Sequence, residues 1–177
     1  MKTFIQKKIF TQNECEYFKL LSDNKIFEQS KILGENNEYI TSNYRTSKEV
    51  KIETNLYLSN IILEKIKELG VKTLPEYFVI LKYDKNEEVK RHNDVALYDP
   101  DRYKTLIIQL SNETDYDGGE LCIFQNNKEI ITSKEIGNVI MFDSTIDHCV
   151  NKIKEGMRYC MLYRLSFYNF GLNKSLI

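Results

Sequence analysis

The chain has 177 residues, 42% hydrophobic and 29% charged, with seven Gly and two Pro, a mixture that specifies one globular core and excludes disorder, a collagen repeat or an array. Twenty-five Lys plus Arg stand against twenty-six Asp plus Glu, a formal charge of -1, so no long-range field marks nucleic acid or an acidic membrane as the default partner. The longest apolar runs, such as 106–108 and 139–142, fall far short of the roughly 20 residues of a membrane helix, and Gln6, Lys7 and Lys8 stand where a signal peptide needs apolar residues.

Taken from the N-terminus, Thr11 followed by Glu14 is a capping-box signature, and Cys15, Phe18 and Leu21 supply the apolar positions of a helix over about 12–22. The stretch 34–50 is polar, rich in Asn, Ser and Thr, and is expected to be an ordered loop or lid. A second helix is expected over about 56–69, where Leu58, Ile61, Ile62, Ile66 and Leu69 keep helical spacing and Gly70 offers a stop. Residues 1–74 therefore read as a helical support.

After Pro75 the pattern changes to short β-branched and aromatic segments over 77–83, 89–95, 104–110, 119–124, 128–132, 138–142, 148–153 and 158–167. These are about eight strands, and the gaps between them are too short for helical crossovers, so the pairing is antiparallel. The expected fold is mainly β (α+β): a jelly roll, or double-stranded β-helix, over about 75–170, with the N-terminal helices packed on the outer face of one sheet. No repeat or linker divides the chain, so 1–177 reads as a single domain. In the last strand Tyr159, Met161, Tyr163, Leu165 and Phe167 form an apolar face for the helices, while Arg158, Cys160, Leu162, Arg164 and Ser166 form a mixed face that looks into the barrel. In 104–110 the alternation turns Thr105, Ile107 and Gln109 inward.

Chemistry concentrates around the two histidines. His92 and Asp94 are two apart, so on a strand their side chains project from one face as a chelate. His148 opens a later strand that antiparallel pairing can bring alongside. Two imidazoles and a carboxylate suit non-haem Fe(II) with open positions, and they also suit zinc with an activated water. Arg158, ten positions after His148 across a hairpin turned by Lys154, Glu155 and Gly156, carries a permanent charge on the inner face. Burying it demands an anion, either a nearby Asp or Glu or a dicarboxylate cosubstrate. The four Cys (Cys15, Cys122, Cys149 and Cys160) lack C-x-x-C spacing and read as reduced thiols of a cytosolic protein.

Several segments follow one another in a set order: Tyr44-Arg45-Thr46-Ser47, Pro75-Glu76 with a strand ending at Tyr83, His92-Asn93-Asp94, Arg102 with Thr105, Tyr116-Asp117-Gly118-Gly119-Glu120-Leu121, the 137–143 segment, His148, and Gly156-Met157-Arg158-Tyr159. From about Ser42 to Phe167 this set resembles the Fe(II)- and 2-oxoglutarate-dependent dioxygenases, specifically the prolyl 4-hydroxylase-like branch. The resemblance implies that His92, Asp94 and His148 bind iron, that Arg158 pairs with the distal carboxylate of 2-oxoglutarate, and that Tyr83, Thr105 and Gln109 contact the cosubstrate. It implies Fe(II), 2-oxoglutarate and O2, with ascorbate as an accessory, and a peptide or protein substrate whose proline is hydroxylated. Arg102, Tyr98 and Arg45 are the candidate substrate contacts. Gln109 stands where the family usually has Tyr, Arg158 where many prolyl 4-hydroxylases have Lys, and Val89 where they have an aromatic residue. A lysyl residue, a free amino acid or a small metabolite are alternative substrates, and a non-catalytic jelly-roll binding module is the reading from another class. Arg164 occupies the place of a second Arg expected in nucleic-acid demethylases of the superfamily, yet the chain has no basic excess, so nucleic acid is not the expected partner. Neither is a membrane, and the location is expected to be cytoplasmic.

Overall fold

A computed structural model of the chain describes residues 3–33, 38–95 and 101–166. Its elements, in chain order, begin with β1 (Phe4–Lys8), α1 (Gln12–Leu20), β2 (Glu28–Gln29), β3 (Lys31–Leu33), β4 (Tyr39–Thr41), β5 (Lys48–Glu53) and α2 (Leu56–Ile66). They continue with β6 (Tyr77–Tyr83), β7 (Val89–His92), β8 (Arg102–Gln109), β9 (Tyr116–Gly118), β10 (Leu121–Gln125) and β11 (Lys128–Ile131). The last four are β12 (Asn138–Asp143), β13 (Asp147–Val150), β14 (Ile153–Gly156) and β15 (Arg158–Ser166).

Both expected helices are present, and each starts where a side chain can satisfy the open N–H groups of the first turn. Thr11 and Glu14 close the capping box, with the Thr11 amide donating to Glu14 Oε2 at 2.9 Å. Asn55 Oδ1 accepts from the Leu58 amide at 2.8 Å. The second helix tightens into a 3-10 turn over Lys67–Leu69 and stops at Gly70, which has φ +80°.

The larger sheet has strand order β1-β12-β8-β15-β6-β5-β2, the smaller β11-β10-β13-β7, and short ladders join β14 to β9 and β3 to β4. Every named pairing is antiparallel. On the outer face of the larger sheet Phe78, Ile80, Leu106, Ile108, Met161 and Tyr163 pack with Phe18, Ile62 and Ile66 of the helices. On its inner face Val79, Leu81, Ile107, Ile140, Phe142 and Leu162 meet Ile123 and Val150 of the smaller sheet. Each fully buried aliphatic side chain contributes about 1.5–3 kcal/mol relative to exposure, so two cores share one sheet. The alternation expected for β8 and β15 places the named residues on the expected faces; Phe167 lies outside the described residues.

Four expectations are corrected. The N-terminal part is not only helical, because β1, β2 and β5 extend the larger sheet at its edges. The 34–50 stretch contains β4 and the start of β5 rather than loop throughout. The 148–153 strand is two strands, and Lys154–Gly156 belongs to β14, which pairs with β9 instead of turning a hairpin into β15. The chain thereby leaves the smaller sheet at β13 and enters the larger one at β15. Finally, the strand expected over 89–95 ends at His92, so Asp94 lies beyond it. Among the described residues no helix is long and apolar enough to cross a membrane.

Candidate metal and cosubstrate site

Antiparallel pairing of β7 with β13 sets His148 directly opposite His92. Asp94 reaches the same place by a route other than strand geometry: its main-chain N–H donates to Ser144 O at 2.9 Å, and its carbonyl accepts from Arg102 Nη1 at 3.0 Å. The carboxylate then lies between the imidazoles, with Oδ1 3.8 Å from His92 Nε2 and Oδ2 3.6 Å from His148 Nε2. One ligand atom from each of the three residues lies within 4.8 Å of the others. Separations of this size are too long for hydrogen bonds and leave a gap that suits a cation.

The outward nitrogens fix the tautomers. His92 Nδ1 is 2.8 Å from Lys90 O and His148 Nδ1 is 3.1 Å from Ile146 O. A carbonyl only accepts, so each Nδ1 carries the proton and each Nε2 presents a lone pair toward Asp94. Burial, then the neighbouring His148 and Arg45, push His92 down to about 4. Burial likewise lowers His148, against the pull of Asp94. Burial alone would raise the Asp94 carboxyl, but His148, Arg164 and the Thr105 hydroxyl hold it well below the usual carboxylate range. Two neutral imidazoles and an ionised carboxylate are the protonation states a divalent metal requires, and this donor set fits ferrous iron.

Arg158 has no exposed surface. Its Nη2 donates to Gln109 Oε1 at 2.9 Å and its Cζ lies 5.0 Å from the centre of the Tyr83 ring. Its Nε and Nη1 have no hydrogen-bond partner. Polar atoms this buried are almost always paired, so the two N–H groups fit the carboxylate of a bound small acid.

The remaining sequence candidates fall as follows. Thr105 does turn inward, where its hydroxyl donates to Asp94 Oδ2 at 2.5 Å and so orients that carboxylate. Gln109 acts as the acceptor for Arg158, and Tyr83 lends the face of its ring. Arg45 Nη2 lies 3.0 Å from His92 Nε2 and donates to its lone pair. Arg102 holds the Asp94 main chain. Tyr98 lies outside the described residues. Sequence reasoning missed Ser144, whose contribution is a carbonyl and leaves no signature in residue type. It also quoted Tyr116 only as part of a turn, although that phenol is buried in the inner core with its hydroxyl unpartnered.

A double-stranded β-helix that brings two imidazoles and a carboxylate together and buries a guanidinium in its interior defines a metal-dependent oxygenase that takes a small acid as cosubstrate. The family model of the 2OG-Fe(II) oxygenase superfamily matches residues 78–165 of the chain. That superfamily uses Fe(II), 2-oxoglutarate and O2. A PKHD-type hydroxylase of Prochlorococcus marinus (strain MIT 9312) is 27% identical, over 88% of this chain and 74% of the relative. Among solved structures, a prolyl hydroxylase from Trichoplax adhaerens, in complex with a peptide fragment of the hypoxia inducible factor oxygen degradation domain, superposes with TM-score 0.73 at 20% identity, covering 94% of this chain and 84% of that one. A Pseudomonas putida prolyl-4-hydroxylase gives TM-score 0.66 at 15% identity, covering 93% of each chain. The last two likenesses concern the fold.

Proposed function

We propose that the chain hydroxylates a proline within a peptide, with His92, Asp94 and His148 as the iron ligands and Arg158 as the anchor for the distal carboxylate of 2-oxoglutarate. One observation carries the reading: Arg158 is fully buried with two unpartnered N–H groups, in the same barrel as the three convergent ligands. A guanidinium keeps its charge, and a buried charge without a counter-charge costs several kcal/mol. A bound dicarboxylate removes that penalty. The peptidyl proline is supported by the prolyl hydroxylase whose structure contains a peptide and by the likeness to a second prolyl hydroxylase.

Bound ferrous iron, with 2-oxoglutarate and O2, would supply the oxidising power that turns a C–H into a C–OH while 2-oxoglutarate becomes succinate and CO2. The chain's own side chains bind, orient and shield. Thr105 holds Oδ2 of Asp94, and the Lys90 and Ile146 carbonyls fix the two rings, so the ligand atoms face one another before any metal arrives. Arg158 binds the far end of the cosubstrate, with Gln109 fixing its fork and the Tyr83 ring lying beside it. Val79, Leu81, Ile140 and Phe142 wall the interior and exclude water. Arg45 donates to the His92 lone pair that a metal would take, so a bound metal would leave its guanidinium available beside β7, which supports Arg45 as a substrate contact together with Arg102 and Tyr98. The same reading treats 1–177 as one domain acting in the cytoplasm; the membership of β1, β2, β8 and β15 in one sheet supports the first part.

The test is substrate-stimulated succinate release with Fe(II), screened over proline-containing peptides, lysyl peptides and free amino acids, with mass spectrometry for an added oxygen atom. Oxygen found on a peptide proline is the expected result. Oxygen on lysine or on a free amino acid overturns the substrate, and absence of metal-dependent 2-oxoglutarate binding by calorimetry overturns the whole reading.

A further inference from the structure

Arg158 is not the only buried donor without a partner in the inner core. Tyr116 is 5% exposed and its hydroxyl has no hydrogen-bond partner. The fold brings the two together: β9 pairs with β14 so that Tyr116 stands opposite Gly156, two residues before Arg158. Arg158, by its charge and by side-chain hydrogen bonding, draws the phenol back toward ionisation against the effect of burial, although neither the Tyr116 hydroxyl nor Nε and Nη1 of Arg158 reach full hydrogen-bond geometry with any partner. Two orphaned N–H groups and one orphaned O–H therefore occupy one dry region.

The surroundings are built to seat that phenol. Gly156, at φ +76°, lets β9 come so close that a Cβ there would lie 2.1 Å from Asp115 O and 2.9 Å from Tyr116 Cα. At Gly119 a Cβ would lie 3.1 Å from Cε2 of the Tyr116 ring. Lys134 Nζ stands 4.1 Å from the centre of the ring and donates to the carbonyls of Tyr116 at 3.2 Å and Gly118 at 3.1 Å. Two glycines and a lysine thus fix one aromatic side chain whose hydroxyl has no hydrogen-bond partner, although a buried hydroxyl left unpaired costs about 1–3 kcal/mol.

We infer that Tyr116 is a further cosubstrate-binding residue: its hydroxyl, with Nε and Nη1 of Arg158, receives the distal carboxylate of 2-oxoglutarate. The inference rests on the assignment of Arg158 proposed above. It accounts for Gln109, which stands where the family usually has Tyr and which here faces Arg158 through its oxygen, as an acceptor. The phenol is supplied from β9 instead of β8. A carboxylate accepts from a phenol and a guanidinium at once, and bonds of this charge-assisted kind are the stronger ones.

The experiment is calorimetry of wild type and Tyr116→Phe with Mn(II) as a redox-silent metal, titrating 2-oxoglutarate and, separately, 2-oxopentanoate, which ends in a methyl group and lacks the distal carboxylate. Tyr116→Phe is expected to weaken 2-oxoglutarate about tenfold, or 1.4 kcal/mol, and to leave 2-oxopentanoate and Mn(II) affinity unchanged. In turnover the KM for 2-oxoglutarate rises by the same factor while kcat at saturation holds, a split that a merely structural role does not produce. Equal affinity of the two proteins for 2-oxoglutarate overturns the inference, as does an equal loss for both acids. If wild type itself fails to bind 2-oxoglutarate, the assignment of Arg158 falls first and this inference falls with it.

Discussion

Along β15, Met161, Tyr163 and Leu165 face the helices, while Arg158, Cys160 and Leu162 face the barrel. The outer region is a dry apolar contact in which Phe18, Ile62 and Ile66 are almost fully buried. The inner region also has an apolar floor, but it buries Asp94, Thr105, Gln109, His148 and Arg158 as well. Apolar burial stabilises, whereas buried charge without a partner does the reverse. The contrast implies that the outer face supplies the stability that lets the inner one keep unsatisfied groups poised for ligands.

Breaking the outer face is expected to have the largest effect. Ile62→Ala should destabilise by about 2–5 kcal/mol through lost burial and a residual cavity, measured by chemical denaturation, with the affinity for 2-oxoglutarate of the folded protein unchanged. A matching loss of affinity would show that the two faces are not separable. Inside, Asp94→Asn should weaken metal binding by about 100-fold or more, since even partners one step removed from a metal cost 10–100-fold, while the melting temperature falls little. Arg158→Ala should raise the KM for 2-oxoglutarate by at least about tenfold, or 1.4 kcal/mol, and leave the metal bound; parallel loss of metal would make it a structural residue. The smallest effect sharpens the comparison. Tyr163 is the one outer core residue among those described whose buried side-chain hydroxyl lacks a partner, so Tyr163→Phe should leave stability within about 1 kcal/mol of wild type or raise it, as read from the denaturation midpoint.

The sequence made the inner and outer faces of β8 and β15 legible because a strand repeats every two residues and both are flanked by core on each side. The edge strands were not legible for the opposite reason. In β1 four of the five residues are exposed, so it carries no alternation to read, and in β5 the alternation is only Val50 and Ile52, of which Ile52 alone is fully buried. At the site, His92 and Asp94 were legible as a pair, but the reason their side chains meet was not. The strand ends at His92, and a carbonyl from Ser144, 50 residues further along, holds Asp94 in place. The partners of Thr105 and Arg45 escaped for a related cause: which polar group a side chain finds depends on a register that residue types do not state.

The edges of the larger sheet have a consequence for how the protein behaves in company. β12 carries Val139, Ile140, Met141 and Phe142 in succession, and β1 occupies its outer flank from Phe4 opposite Phe142 to Lys8 opposite Asn138. Without that cover, four consecutive apolar residues would line a bare hydrogen-bonding edge, a template for aggregation. With it, an approaching chain meets Lys7 and Lys8, already engaged by Glu68 and Glu135, and at the far side of the sheet finds β2, a strand of only two residues. Trimming the first eight residues should therefore cost solubility before it costs catalysis.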